Sequence, residues 1–148
     1  MRAYFDTSFI TKWYLPEADS AQALRIRSRF APPAALTHLH RLELVTAWQL
    51  KIFRREIPAK LVEGAWSDLE QDVVDGVCEL PTYDLAQVFS RAESLSRQYS
   101  SKLGTRSLDV LHVATALVLG APAFVTADAR QAKLAKAAGM RVTSLGQR

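Results

Sequence analysis

The stretch Ser107–Asp128, SLDVLHVATALVLGAPAFVTAD, decides the fold. Its first half is apolar on nearly every helical face, which predicts a deeply packed helix over Ser107 to Leu119. Gly120 and Pro122 stop that helix. The short run Ala123 to Thr126 then reads as a buried strand, Asp128 closes it, and a second helix is predicted over Ala129 to Ala138. Helix, turn, buried strand, acid and helix form the repeating unit of an α/β protein.

Working outward, the same alternation fills the chain. Strands are predicted at about Ala3 to Asp6, Ala35 to His38, Val77 to Leu80 and Arg141 to Leu145. Helices are predicted over Ser8 to Leu15, Asp19 to Phe30, His40 to Arg55, Ala59 to Val74 and Leu85 to Ser100. Pro16, Pro32-Pro33, Pro58, Gly76, Pro81, Gly104 and Gly139 punctuate the boundaries. The expectation is an α/β fold with a mainly parallel sheet, built as one domain over residues 1–148, without linker, repeat or low-complexity segment.

Four acids stand in apolar surroundings. Asp6 ends Ala3-Tyr4-Phe5, Glu43 lies among Leu42, Leu44 and Val45, Asp109 shares a helical stripe with Val113 and Ala116, and Asp128 follows Phe124-Val125-Thr126-Ala127. Each has a structural explanation. Asp6 and Asp128 can cap the helices that follow them, Asp109 can complement a helix dipole from the first turn, and Glu43 can pair with Arg41 or Arg54. As a set they point elsewhere. In an open α/β sheet ligands bind beyond the carboxyl ends of the strands, where Asp6 and Asp128 lie and over which Glu43 and Asp109 can lean. Clustered carboxylates need a shared cation or a shared proton.

Oxygen-only ligands suit Mg²⁺ or Mn²⁺, and such sites recur in phosphodiester hydrolysis. His38, His40 and His112 lack a zinc-binding spacing, and His112 reads as a packing or hydrogen-bonding residue. Thr126 adds a hydroxyl beside Asp128. The 148 residues carry a formal charge of +4 and a sequence pI near 9.5, which suits a polyanionic substrate around an acidic centre. At 49% hydrophobic and 23% charged, the composition excludes a disordered or fibrous chain. Cys78 is the single cysteine, so no intrachain disulfide or multi-cysteine metal site is available and a reducing cytoplasmic setting is expected. Asp6 falls too early for a signal peptide, and no apolar run approaches the ~18 residues of a membrane span, so neither export nor insertion is expected.

The segments Tyr4-Phe5-Asp6-Thr7-Ser8, Leu42-Glu43-Leu44, Thr105 to Ala114 and Phe124-Val125-Thr126-Ala127-Asp128, in this order and spacing, resemble the PIN-domain family. The likeness is closest to the VapC-type toxins, also described as PilT N-terminal-like, and covers nearly the whole chain. It implies a three-layer fold around a five-stranded parallel sheet of order 3-2-1-4-5. It further implies an Mg²⁺- or Mn²⁺-dependent endoribonuclease acting on single-stranded or structured RNA. Asp6, Glu43, Asp109 and Asp128 would be the catalytic acids, with Asp6, Asp109 and Asp128 as metal ligands and Thr7, Ser8 and Thr126 in support. By their places beside proposed ligands, Arg106 and Arg130 are candidates to meet the substrate backbone, with a solvated surface role the alternative for Arg130. The resemblance also implies a homodimer silenced by a VapB-like antitoxin.

Trp13, Tyr14, Trp48, Phe53 and Trp66 could stack on RNA bases, but core packing or an interface is the better reading. The face bearing Leu44, Trp48 and Ile52 is expected to meet a second subunit or the antitoxin. The alternatives are a PIN-like nuclease that is no toxin, or one that binds RNA or protein without cutting. A haloacid-dehalogenase-type phosphatase needs a second Asp where Ser8 stands, and a receiver module needs an Asp where the chain has Glu79-Leu80-Pro81.

Overall fold

The computed structural model describes residues 2–146. In chain order the elements are β1 (Tyr4–Phe5), α1 (Thr7–Tyr14), α2 (Ser20–Arg27), β2 (Ala34–Ala35), α3 (His38–Phe53), α4 (Ala59–Val74) and β3 (Cys78–Glu79). They continue with α5 (Leu85–Leu95), a π-helical turn (Ser96–Ser100), α6 (Ser101–Leu103), α7 (Ser107–Val118), β4 (Ala123–Thr126), α8 (Ala129–Ala137) and β5 (Arg141–Ser144). The chain resolves into two compact units, one made of the N-terminal stretch through Asp6 with the chain from Thr82 onward, the other of Thr7–Pro81.

The first unit is built on a parallel sheet of order β1-β4-β5. Tyr4 registers with Phe124 and Phe5 with Val125, while β4 pairs along its whole length with β5, from Ala123 opposite Arg141 to Thr126 opposite Ser144. Each residue of β4 is fully buried, as expected of a central parallel strand covered on both faces. Tyr4 stacks on Phe124 with ring centroids 5.6 Å apart and shares a 2.8 Å hydrogen bond with Nδ1 of His112. His112 is therefore the packing residue the sequence predicts.

Two glycines set how helices pass into strands. Gly120 and Gly139 take positive φ, 67° and 85°, where a side chain would be strained. The next residues fold back to close the helix: Ala121 N–H donates to Ala116 O and Met140 N–H to Ala135 O, both at 3.0 Å. This is the Schellman arrangement, and it turns α7 into β4 and α8 into β5 within a few residues.

The second unit carries the parallel pair β2-β3, with Ala34 opposite Cys78 and Ala35 opposite Glu79. Its core is aromatic. Fully buried Trp48 donates from Nε1 to Thr11 Oγ1 at 2.7 Å and meets Trp66 edge to face at 5.7 Å. Tyr14 donates to Asp72 Oδ2 at 2.6 Å, and Arg27 pairs with the same carboxylate oxygen at 3.2 Å.

The structure corrects four expectations. Among the described residues the strands form a three-stranded and a two-stranded sheet, not one five-stranded sheet of order 3-2-1-4-5, because β1 and β2 are two-residue strands that share no ladder. The second strand ends early, since Thr37 caps α3: its hydroxyl accepts from His40 N–H and its own N–H donates to His40 Nδ1, so His38 is already helical. The helix from Leu85 is regular only to Leu95. A serine-rich run there, with Ser96 Oγ and Ser100 Oγ 3.0 Å apart, widens into the π-turn. Finally, Leu44 and Trp48 have no exposed surface, so that face of α3 packs inward and is not presented to a partner.

Burial raises the Tyr14 hydroxyl and the Cys78 thiol above their ordinary values of 10.0 and 9.0. The native state therefore keeps protons that the unfolded chain releases. Stability should be level below the unfolded-state values and fall as pH rises through them. Chemical denaturation at stepwise alkaline pH checks this: Tyr14→Phe should shallow the fall, and an unchanged profile would show that Tyr14 does not contribute.

Candidate active site

Three of the four acids belong to the first unit, and two polar side chains link them. Asp6 follows β1, and its backbone N–H extends the strand ladder by donating to Val125 O at 3.0 Å. The residue has no exposed surface, so its carboxylate is held away from water. Thr126, at the end of β4 and equally buried, donates its hydroxyl to Asp6 Oδ2 at 2.5 Å. The same Oγ1 accepts from Asp128 N–H at 2.8 Å. One hydroxyl thus ties the acid after β1 to the acid after β4.

Asp128 Oδ1 accepts from Arg130 N–H at 2.7 Å and from Gln131 N–H at 3.2 Å, capping α8. The capping role foreseen for Asp128 is real, and the cap makes no use of Oδ2. Gln131 extends the connection. Its Nε2 lies 3.4 Å from Asp109 Oδ1, while Asp109 Oδ2 accepts from Arg106 N–H at 3.0 Å at the start of α7. The order of linkage is Asp6, Thr126, Asp128, Gln131, Asp109.

Asp109 is buried on the inward side of α7 with Val113 and Ala116, as its stripe predicts. Arg106 and Arg130 sit at the starts of α7 and α8, exposed and without an ion pair among the described residues. Glu43, in the second unit, is half-buried on α3 and accepts the Thr7 hydroxyl at Oε1, 2.9 Å away. Arg41, one of the two arginines considered from sequence as its partner, pairs with Glu70 at 2.6 Å. Ser8 lies on α1, half-buried.

Among the described residues no group of three or more His, Cys, Asp or Glu side chains is drawn together at metal-ligand spacing. The acids of the first unit are joined through Thr126 and Gln131 instead. Their oxygen donors still suit a hard divalent cation. Gln131 adds an observation of its own: the residue is only 7% exposed, and its Oε1 has no hydrogen-bond partner. Sequence reasoning missed it. The signal was a polar residue on the stripe of α8 that also carries Leu134 and Ala135, both fully buried.

The sequence matches the PIN domain over residues 3–137. The chain belongs to the PIN domain family, whose members are generally nucleases and typically use divalent metals. No curated protein matches the chain. No helix among the described residues is long and apolar enough to cross a membrane.

Thr126→Val keeps the shape of the side chain but removes the hydroxyl, leaving the Asp128 N–H and the Asp6 carboxylate each short of a partner. A loss of about 2–4 kcal/mol in unfolding free energy is expected, with Thr126→Ser retaining most of the stability. Equal denaturation midpoints for Thr126→Val and the unaltered chain would remove the relay from the account.

Proposed function

We propose that residues 1–148 act as a single PIN domain, an Mg²⁺- or Mn²⁺-dependent endoribonuclease that is the toxin of a VapBC-type pair. The observation that carries this reading is the buried Asp6 carboxylate, joined by hydrogen bonds through Thr126 to Asp128 and onward through Gln131 to Asp109. A fully buried acid at a strand end, coupled to two further acids, is a costly arrangement for structure alone.

Asp6, Asp109 and Asp128 would hold the cation, and the oxygen donors with the unpartnered Gln131 Oε1 fit a hard divalent ion. When bound, the cation lowers the pKa of a water molecule and stabilises charge on the phosphate oxygens. The chain's own contribution is order. Thr126 fixes the Asp6 carboxylate, the α8 cap fixes Asp128, and the Arg106 N–H fixes Asp109, so the donors need little rearrangement. Glu43 is assigned as the fourth catalytic acid on the family resemblance, with Thr7 and Ser8 in support.

Cytoplasmic location, a homodimer and a VapB-like antitoxin complete the proposal. The exposed apolar side chains of Leu42 and Phe53, toward the two ends of α3, support a protein partner.

Cleavage of single-stranded RNA, with DNA in parallel and EDTA as control, tests the activity. Asp6→Asn and Asp109→Asn preserve side-chain shape and should lower the rate by at least about 100-fold while the protein remains folded. Undiminished cleavage by both variants would overturn the assignment, and a preference for DNA would overturn the substrate. For Arg106 and Arg130, replacement by Ala should weaken RNA binding without sequence preference and reduce the salt slope by about 1 per residue. An unchanged salt slope would return both arginines to the solvated surface.

A further inference from the structure

We infer that Gln131 is a positioning residue of the metal site, holding Asp109 through its amide N–H and offering its carboxamide oxygen to the cation or to a water bound to it. The inference rests on the metal-dependent reading above and deepens it.

The side chain is 93% buried by its 7% exposure, and burying an amide oxygen without a partner is unfavourable by about 1–3 kcal/mol. That oxygen has no partner, although the nitrogen of the same amide reaches Asp109 Oδ1 at 3.4 Å. Turning the amide over would not help, because it would set Oε1 against the Asp109 carboxylate, an acceptor facing an acceptor. The orphaned oxygen is therefore fixed close to one acid. The residue's backbone N–H is already committed to the next acid, Asp128 Oδ1, at 3.2 Å. Gln131 thus touches two of the three acids of the first unit with two different groups, and its side-chain oxygen is left unused.

An amide oxygen is a hard, neutral donor that Mg²⁺ and Mn²⁺ accept alongside carboxylates. It adds coordination without adding charge, which matters where carboxylates are already linked in series. Side chains that orient metal ligands typically change metal affinity by about 10–100-fold when removed. Gln131 falls in that class through its hold on Asp109, whether its oxygen meets the ion or a bound water.

Mn²⁺ binding to the purified full chain, followed by calorimetry and by the electron paramagnetic resonance of free Mn²⁺, tests this apart from any cleavage assay. Gln131→Met matches the side chain in size and leaves the backbone N–H on Asp128 in place. It should weaken Mn²⁺ binding by about 10-fold or more, while melting in EDTA at the same temperature as the unaltered chain or higher, because an unsatisfied oxygen has been removed. A merely structural glutamine would give the opposite pattern, a lower melting temperature in EDTA and unchanged Mn²⁺ affinity, and that result overturns the inference. Should Gln131→Met fail to fold, Gln131→Leu, which also removes both amide groups and leaves the backbone N–H on Asp128, decides: it should weaken Mn²⁺ binding by about 10-fold or more, and unchanged affinity counts against the role. If the unaltered chain binds no Mn²⁺, the metal-dependent reading falls and this inference with it. Binding that is lost in Asp6→Asn but unaffected in Gln131→Met removes Gln131 alone.

Discussion

Much of the first unit depends on the burial of one carboxylate. Taking Asp6 out of water carries a penalty of several kcal/mol unless hydrogen bonds replace its hydration. Thr126 supplies one such bond, and it can reach Asp6 only because β1 and β4 run parallel with Phe5 opposite Val125. The Asp6 N–H adds one more ladder bond to Val125 O. Sheet register and acid placement are therefore a single constraint: a slip of one residue in β1 would turn Asp6 to the other face and strand its charge.

From this pair the remaining geometry follows by helix physics. Asp128 lies two residues beyond Thr126, where the chain leaves β4, and caps α8. The first turn of α8 then presents Gln131 toward α7, against which the helix packs. There Asp109 is held by the backbone at the start of its own helix. Each acid is fixed by a local rule of chain geometry, and only the order of strands brings the local rules together.

What could be read from sequence divides along the same line. The apolar helix before Gly120, the buried run Ala123 to Thr126 and the acids at the strand ends announce themselves, since periodicity and burial are local properties. The places of Asp109 and His112 on α7 were legible for that reason. The break between β1 and β2 was not, because a two-residue strand has no period to detect and its pairing depends on distant residues. The inward face of α3 was misread for a related reason: Leu44 and Trp48 form an apolar stripe that looks the same whether a partner or the rest of the second unit covers it. The early start of α3 turned on a hydrogen bond between Thr37 and His40, and the serine-rich end of α5 on competition between side-chain hydroxyls and the backbone. Gln131 escaped notice because a glutamine in an alanine-rich helix is unremarkable until its neighbours across the fold are known.

The caps formed by Asp128 and Asp109 have an evolutionary consequence. In both, a carboxylate oxygen accepts backbone N–H groups, a task that asparagine performs with its amide oxygen. A lineage could therefore exchange both acids for asparagine, forfeit the chemistry proposed for them and keep the scaffold. Such descendants would persist as well-folded relatives with altered roles, and the descent from the proposed nuclease to a binding module would pass through few unstable ancestors.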